Sequence, residues 1–354
     1  MKKINLVVLF GGQSTEHEVS CVSVTTILEH IDIEKYNIIP VGITKEGQWL
    51  LYEGTDYREI EEGKWLKKTK PAILSPDAKD KALIIMTKNG YNKQEVDVVF
   101  PVLHGLYGED GTVQGLLELA KIPYVGCNVV ASSIAMDKHF TKIVVDTLGI
   151  NQAKHITIYQ RDVENITPLL EKIQSHIDYP MFIKPSNAGS SVGVSKATNQ
   201  DELIDGIFEA LKYDKKVIIE EQIIGREIEC AVLGGDDPKA SGVGEIIAAA
   251  EFYDYDAKYN NEESETIINP DLPKEVMDTI KKYSLEIFKA IDGYGLSRVD
   301  FFVEKESNKI IFNEINTLPG FTEISMYPML WEGKGMSKKD LVERIIQLGI
   351  RRYN

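Results

Sequence analysis

Arg298-Val299-Asp300-Phe301-Phe302-Val303 is followed by Ile310-Ile311-Phe312-Asn313-Glu314-Ile315-Asn316, and both stretches read as apolar strands with polar residues on one face. Residues two apart on a strand point the same way, so Arg298 shares a face with Asp300, and Glu314 with Asn316. Between them, Glu306-Ser307-Asn308 reads as a three-residue hairpin loop, with Asn308 in the left-handed position. That loop sets Asp300 opposite Glu314 and Arg298 opposite Asn316. Two facing carboxylates repel unless a positive charge lies between them. Mg2+ takes oxygen ligands from one or two carboxylates plus substrate phosphates, so the pairing points to a metal–nucleotide site. A merely solvated polar face fits poorly beside such apolar neighbours.

Working outward, the hairpin lies in a C-terminal unit, 217–354, with a helical pattern from Lys274 to Ile291. A central unit, 137–216, carries a helix to Leu148, strands at His155–Tyr159 and Met181–Lys184, and a helix from Asp201 to Leu211. The N-terminal unit, 1–136, opens on an apolar strand at 4–10 that ends in Gly11-Gly12. A helix from Val19 to His30, a strand at 38–43 and the apolar run Val96–Leu103 follow. The loop 104–111 then leads into a helix from Thr112 to Ala120. Strand, loop and helix in this order predict a doubly wound α/β sheet with ligands near the strand C-termini. The charged, weakly patterned stretch Trp49–Lys93 reads as a peripheral insertion with short strands. A length of 354 residues suits two or three such units.

Hydrophobic content of 43% and charged content of 27% are ordinary for a globular protein. A net charge of -15 argues against nucleic acid or anionic membrane as the main partner. The N-terminal apolar run is too short for a signal peptide, and no stretch is long enough to span a bilayer. Cys21, Cys127 and Cys230 are far apart and outside any CxxC, so a reduced, cytoplasmic protein without a zinc site is expected.

The richest local motif is Ile183-Lys184-Pro185-Ser186-Asn187-Ala188-Gly189-Ser190-Ser191-Val192-Gly193-Val194. A strand ends in a lysine, a loop of small residues follows, and a second strand returns. Gly189 and Gly193 permit close backbone approach, while Ser190, Ser191 and backbone N–H groups can hold phosphate oxygens. The spacing is not that of a P-loop, and by itself the motif is equally readable as a hairpin turn. Val217 to Glu227 is a buried strand leaving into an acidic connector. That connector could meet an adenine edge through its backbone and a ribose through a carboxylate.

Together, Lys138 in Met136-Asp137-Lys138, the Lys184 loop, Glu220 to Glu227, Arg298-Val299-Asp300 and Asn313-Glu314-Ile315-Asn316 resemble the ATP-grasp ligases. More narrowly, the chain resembles the D-alanine–D-alanine ligase family. Gly11 to Ser20, His104 to Gly111 and Asn316 to Thr322 look like that family's three signatures, and the resemblance runs nearly end to end. It implies an ATP-grasp fold in the second and third units. It further implies that Lys138, Lys184, Ser190, Ser191 and Lys258 meet ATP phosphates, and that Glu220 and Glu227 lie around adenine and ribose. Asp300, Glu314 and Asn316 would hold two Mg2+ ions, with Mn2+ as a substitute and K+ as a candidate activator. Glu16, with His104 nearby, would receive the ammonium of the first D-alanine. Arg298 and the Gly320 N–H would form an oxyanion site, and Ser325 with the Met326 backbone would take the carboxylate of the second D-alanine. A homodimer is a further expectation of the resemblance.

The resemblance also makes 248–270 a lid, the omega loop, in which Tyr259 meets Glu16 and Ser190 across the closed site. A neutral tyrosine there, where relatives that use D-lactate carry histidine, points to an amine acceptor. Glu323, two positions before Ser325, bears on the acceptor pocket. Two rivals to a D-alanine–D-alanine ligase remain: a ligase that accepts D-serine, and an inactive nucleotide-binding regulatory protein. The intact set of Asp300, Glu314, Asn316 and Arg298 favours an enzyme.

Overall fold

Ile4–Gly11 (β1) is apolar at nearly every position, as befits a strand covered on both faces, and it lies at the centre of the parallel part of the first sheet. Its parallel neighbours are Tyr36–Ile43 (β2) and Val98–Pro101 (β7). Leu6, Val8 and Phe10 pack under α1 (His17–His30), while Val7 and Leu9 face Val113 and Leu117 of α3 (Thr112–Ala120). Helices thus cover both faces, as the doubly wound pattern requires. The computed structural model describes residues 2–189, 191–247 and 265–353.

Trp49–Lys93 carries the short strands expected of it, and they lie at the edge of the first sheet. Trp49–Tyr52 (β3), Thr69–Leu74 (β4), Ala82–Thr87 (β5) and Gly90–Glu95 (β6) extend the same sheet in antiparallel fashion, giving the order β6-β5-β4-β3-β2-β1-β7. One turn of helix, α2 (Arg58–Glu61), lies between β3 and β4. The buried positions Ala72, Leu74 and Leu83 fix the inner face. The outer face stays exposed, which is why the segment reads as weakly patterned.

Two short helices, α4 (Val129–Met136) and α5 (Lys138–Asp146), lead to the second sheet. It is antiparallel, β10-β9-β11-β8, built from His155–Tyr159 (β8), Met181–Pro185 (β9), Ser195–Ala197 (β10) and Lys216–Glu221 (β11). Helices α6 (Ile166–His176) and α7 (Gln200–Ala210) cover one face through Leu170, Ile173, Leu203 and Ile207. The third sheet runs β14-β13-β12-β15-β16. Its strands are Gly225–Gly234 (β12), Lys239–Ile247 (β13), Glu265–Ile268 (β14), Gly295–Glu304 (β15) and Ile310–Asn316 (β16). Helix α8 (Lys274–Ala290) packs on it, and α9 (Met326–Glu332) and α10 (Lys338–Arg351) join it to the first sheet.

The β15–β16 register is Arg298 opposite Asn316 and Asp300 opposite Glu314, as the sequence pattern requires. The turn differs. Glu304 pairs with Lys309, so the loop has four residues, Lys305 to Asn308, rather than three. The extra residue is absorbed by a bulge, because Phe301 pairs with Phe312 and Asn313 is left between. Asn308 adopts the left-handed conformation at φ 56.

Candidate active site

The second and third sheets meet the loops that follow β1 and β7 around a cavity of about 890 Å³, lined by Lys138, Lys184, Glu220, Glu227, Arg298, Asp300, Glu314 and Asn316 among others. Glu16, His104 and Glu109 reach the same cavity from the strand ends of the first sheet.

At one end, two ammonium groups share one carboxylate. Lys142 Nζ lies 2.7 Å from Glu220 Oε1, and Lys184 Nζ lies 2.5 Å from Glu220 Oε2. Lys142 and Glu220 are almost fully buried. Burial by itself would raise the Glu220 carboxyl, but the two lysines outweigh it and hold it well below the usual carboxylate range. Burial also works against the Lys184 charge, yet Glu220 keeps that ammonium above the usual lysine range. Glu220 thus holds Lys184 and Lys142 together at this end of the cavity lining. Lys138 Nζ donates to Ala188 O at 2.7 Å, which ties α5 to the loop after β9. Asp137 caps α5, pairs with Lys216, and accepts from Ser186 Oγ at 2.7 Å.

At the other end the balance is reversed. Arg298 donates from Nε to Asp300 Oδ1 at 2.8 Å and from Nη2 to Asp300 Oδ2 at 2.7 Å. Glu229 on the neighbouring strand approaches Arg298 Nε at 3.1 Å, and Asn316 Nδ2 donates to Asp300 Oδ2 at 3.1 Å. Burial opposes the Arg298 charge, but Asp300, Glu229 and Glu314 together sustain it. The positive charge demanded by facing carboxylates is thus met in part by Arg298 itself. Asp300, Glu314 and Asn316 are hard oxygen donors in a surplus of negative charge, which suits Mg2+ that keeps waters and phosphate oxygens as its other ligands. Among the described residues no three carboxylate, histidine or cysteine side chains form a ready-made metal cage.

A third group of contacts joins the first sheet to the third. His104 Nδ1 faces Leu318 O at 3.0 Å, and Nε2 faces Ser23 Oγ at 3.0 Å. A carbonyl can only accept, so Nδ1 carries the proton and Nε2 accepts from the serine, whose oxygen in turn accepts from Phe321 N at 3.3 Å. Burial pushes the His104 pKa down, in keeping with a neutral ring. Both its nitrogens are engaged, so His104 supports the 317–321 loop from within the cavity lining. Glu109 accepts from Gly105 N at 2.8 Å and Leu318 N at 3.1 Å. Burial, and then the nearby Glu16, raise its carboxyl above the usual range. Glu16 is buried against two glycines: a Cβ at Gly105 or Gly189 would come within 2.4 Å of its Oε2. Glu16 thereby marks where the first sheet touches the loop after β9. A Cβ on Gly320 would meet Ser325 Oγ at 2.9 Å, so these two sit side by side. Ser325 Oγ also accepts from Thr322 N at 2.9 Å. Glu323 is exposed and paired with Lys338 at 2.8 Å, outside the cavity lining.

Ser191 and Met326 line the cavity. Ser190, Lys258, Tyr259 and most of 248–270 lie outside the described residues. Lys142, Glu229, Glu109 and Ser23 were not among the expected site residues. Lys142 is four residues after Lys138 on one helix, and Glu229 is two after Glu227 on one strand; those spacings are the signals that could have found them.

The D-ala D-ala ligase N-terminus family matches residues 5–127, and the D-ala D-ala ligase C-terminus family matches residues 144–347. This chain belongs to the D-alanine–D-alanine ligase family. A family member from Acetivibrio thermocellus, a D-alanine–D-alanine ligase, is 50% identical, with 99% of this chain and 97% of the relative covered. D-alanine–D-alanine ligase B of Clostridium tetani is also 50% identical, covering 99% of this chain and 94% of the relative. Among solved structures, the VanG D-Ala:D-Ser ligase of Enterococcus faecalis is similar with a TM-score of 0.89 and 38% identity, over 98% of this chain and all (100%) of that one. The D-alanine-D-alanine ligase of Coxiella burnetii follows at 0.83 and 35%, over 99% and 95%. The fold of the family is ATP-grasp, and two antiparallel sheets of this chain enclose the cavity.

Proposed function

We propose that this chain joins two D-alanine molecules into D-alanyl-D-alanine, with ATP converted to ADP and phosphate, for peptidoglycan precursor synthesis. The observation that supports this reading most is the placement in one cavity of the Lys142–Glu220–Lys184 cluster, the acidic face of β15 and β16, and the buried Arg298. The sequence relatives at 50% identity share the name of this activity. No described helix is long and apolar enough to cross a membrane. A cytoplasmic homodimer of three units, 1–136, 137–216 and 217–354, belongs to the same proposal.

A carboxylate does not acylate an amine at neutral pH, so the first D-alanine is activated. Its carboxylate attacks the γ-phosphorus and ADP leaves. Lys138 and Lys184 offset the charge on the phosphoryl oxygens. Two Mg2+ held by Asp300, Glu314 and Asn316 would supply further charge neutralisation along the phosphates. The amine of the second D-alanine then attacks the acyl carbon. Arg298 and the Gly320 N–H stabilise the oxyanion, phosphate leaves and the amine loses a proton. Losing one such donor costs about 3–4 kcal/mol of barrier. Glu16 receives the first ammonium, and Ser325 with Met326 the second carboxylate. Lys258, Tyr259 and Ser190, which the resemblance assigns to the ATP phosphates and the first-substrate side, lie outside the described residues.

A D-serine acceptor is the second reading, because a D-Ala:D-Ser ligase is among the similar structures. ADP release measured with D-alanine, D-serine and D-lactate as separate acceptors, at two pH values, decides. Preference for D-alanine supports the proposal, and preference for D-serine replaces it. Absence of ADP with every D-amino acid defeats both readings.

A further inference from the structure

Arg298 and Asp300 form a bidentate pair, and this creates a conflict of duties under the reading above. Asp300 is asked to turn its oxygens to a metal, while Arg298 is asked to stay where an oxyanion develops. If Asp300 were the sole anchor of Arg298, metal binding would release the guanidinium. The third sheet supplies a second anchor. On β12, Ala231 is the residue directly across from Arg298, and Glu229 is the one across from Asp300. Ala231 has only a methyl group, so the long arginine side chain can lean diagonally over it towards Glu229. Glu229 Oε2 lies 3.1 Å from Arg298 Nε, an ion pair held by charge, since the single Nε proton is donated to Asp300 Oδ1. Glu229 is 8% exposed and lines the same cavity. Across the other edge of β15, Asn316 is directly opposite Arg298 and bonds Asp300 rather than the arginine.

We propose that Glu229 is a positioning residue that keeps Arg298 on the oxyanion side of the cavity when Asp300 is drawn to the metal side. This rests on the assignment of Asp300 to metal and Arg298 to the oxyanion. Glu229 touches neither substrate nor metal in this proposal; it acts through the guanidinium. It follows that the metal affinity of the site depends on Glu229 without Glu229 being a ligand. With Glu229 neutralised, Arg298 has more need of Asp300, and Asp300 yields less readily to Mg2+.

The test is calorimetric binding of ADP to the full chain, with and without Mg2+, in wild type, Glu229→Gln, Arg298→Ala and the double variant. The wild type should bind ADP more tightly with Mg2+. Glu229→Gln should reduce that Mg2+ enhancement roughly 10-fold while metal-free ADP affinity stays within about threefold, the scale of one charge-assisted contact. In the Arg298→Ala background the same substitution should leave the enhancement unchanged, since the arginine through which it acts is gone. In turnover, Glu229→Gln should lower kcat with little change in the KM for ATP. An undiminished Mg2+ enhancement in Glu229→Gln overturns the proposal. So does an equal loss in the Arg298→Ala background, which would make Glu229 a metal ligand. If the wild type itself shows no Mg2+ enhancement, the metal assignment fails along with the inference.

Discussion

The two ends of the cavity solve opposite electrostatic problems with the same kinds of side chain. At the β9–β11 end, two ammonium groups share the one carboxylate of Glu220. At the β15–β16 end, one guanidinium is surrounded by Asp300, Glu229 and Glu314. The first cluster keeps a surplus of positive charge and awaits an anion. The second keeps a surplus of negative charge and awaits a cation. An ATP–metal complex carries both, so on the proposed reading such a polarised cavity would orient it before any specific contact forms. The difference also shows how buried charge is kept: each charge meant for ligand is parked on a partner that has another partner of its own.

The largest effect should come from Arg298→Ala. Turnover should fall about 100-fold to 1,000-fold, while ADP affinity measured by calorimetry stays within a few-fold. Collapse of nucleotide affinity with preserved turnover would break the division of labour between the two ends. Next is Lys142→Met, which removes a buried cation paired with Glu220. Glu220 would then depend on Lys184 alone, at a cost of about 1–3 kcal/mol in urea unfolding, and Lys184 would serve ATP less well. Adding Glu220→Gln should recover part of the stability, because the coupled pair is not additive.

The carboxylates Glu220 and Glu109 offer a contrast in sign. The Glu220 pKa is lowered in the folded state, so its contribution is complete above the ordinary carboxylate range and is lost as pH falls below it. The Glu109 pKa is raised, so its contribution is complete below the ordinary range and is lost as pH rises through the folded value. Urea unfolding from about pH 2 to about pH 9 should therefore show a flatter acid limb in Glu220→Gln and a flatter alkaline limb in Glu109→Gln. The smallest effect belongs to the hairpin that carries the negative end. Asn308→Ala should cost about 0.5–1 kcal/mol at its left-handed position, and Asn308→Gly should be near neutral in the same unfolding assay.

The strands were legible because their apolar runs and period-two alternation are strong; the Asp300–Glu314 and Arg298–Asn316 pairings, expected from a three-residue loop, hold only because a longer loop is offset by a bulge. The turn was not fully legible. A four-residue loop and a bulge at Asn313 cancel, and nothing in Phe312-Asn313-Glu314 announces which residue will bulge. The extension of the first sheet through 49–93 escaped for another reason: its outer strands bury little, so they lack a clear hydrophobic period. In the site, the residues with many neighbours of known type were legible and their supports were not. Lys142 and Glu229 each stand among apolar residues, where a single charge reads as incidental until its partner from a distant strand is seen. Glu220 shows the converse, since its strand position was readable but its commitment to two lysines was not.

The central claim is that both ends of this cavity act together on one ATP to join two D-alanines. The most direct measurement counts ADP and D-alanyl-D-alanine in the same sample, with D-alanine as the only amino acid and with Mg2+ present or removed by a chelator. Equal amounts of the two products, both abolished without Mg2+, are expected. ADP released without dipeptide, or dipeptide formed at an undiminished rate without Mg2+, would contradict the account.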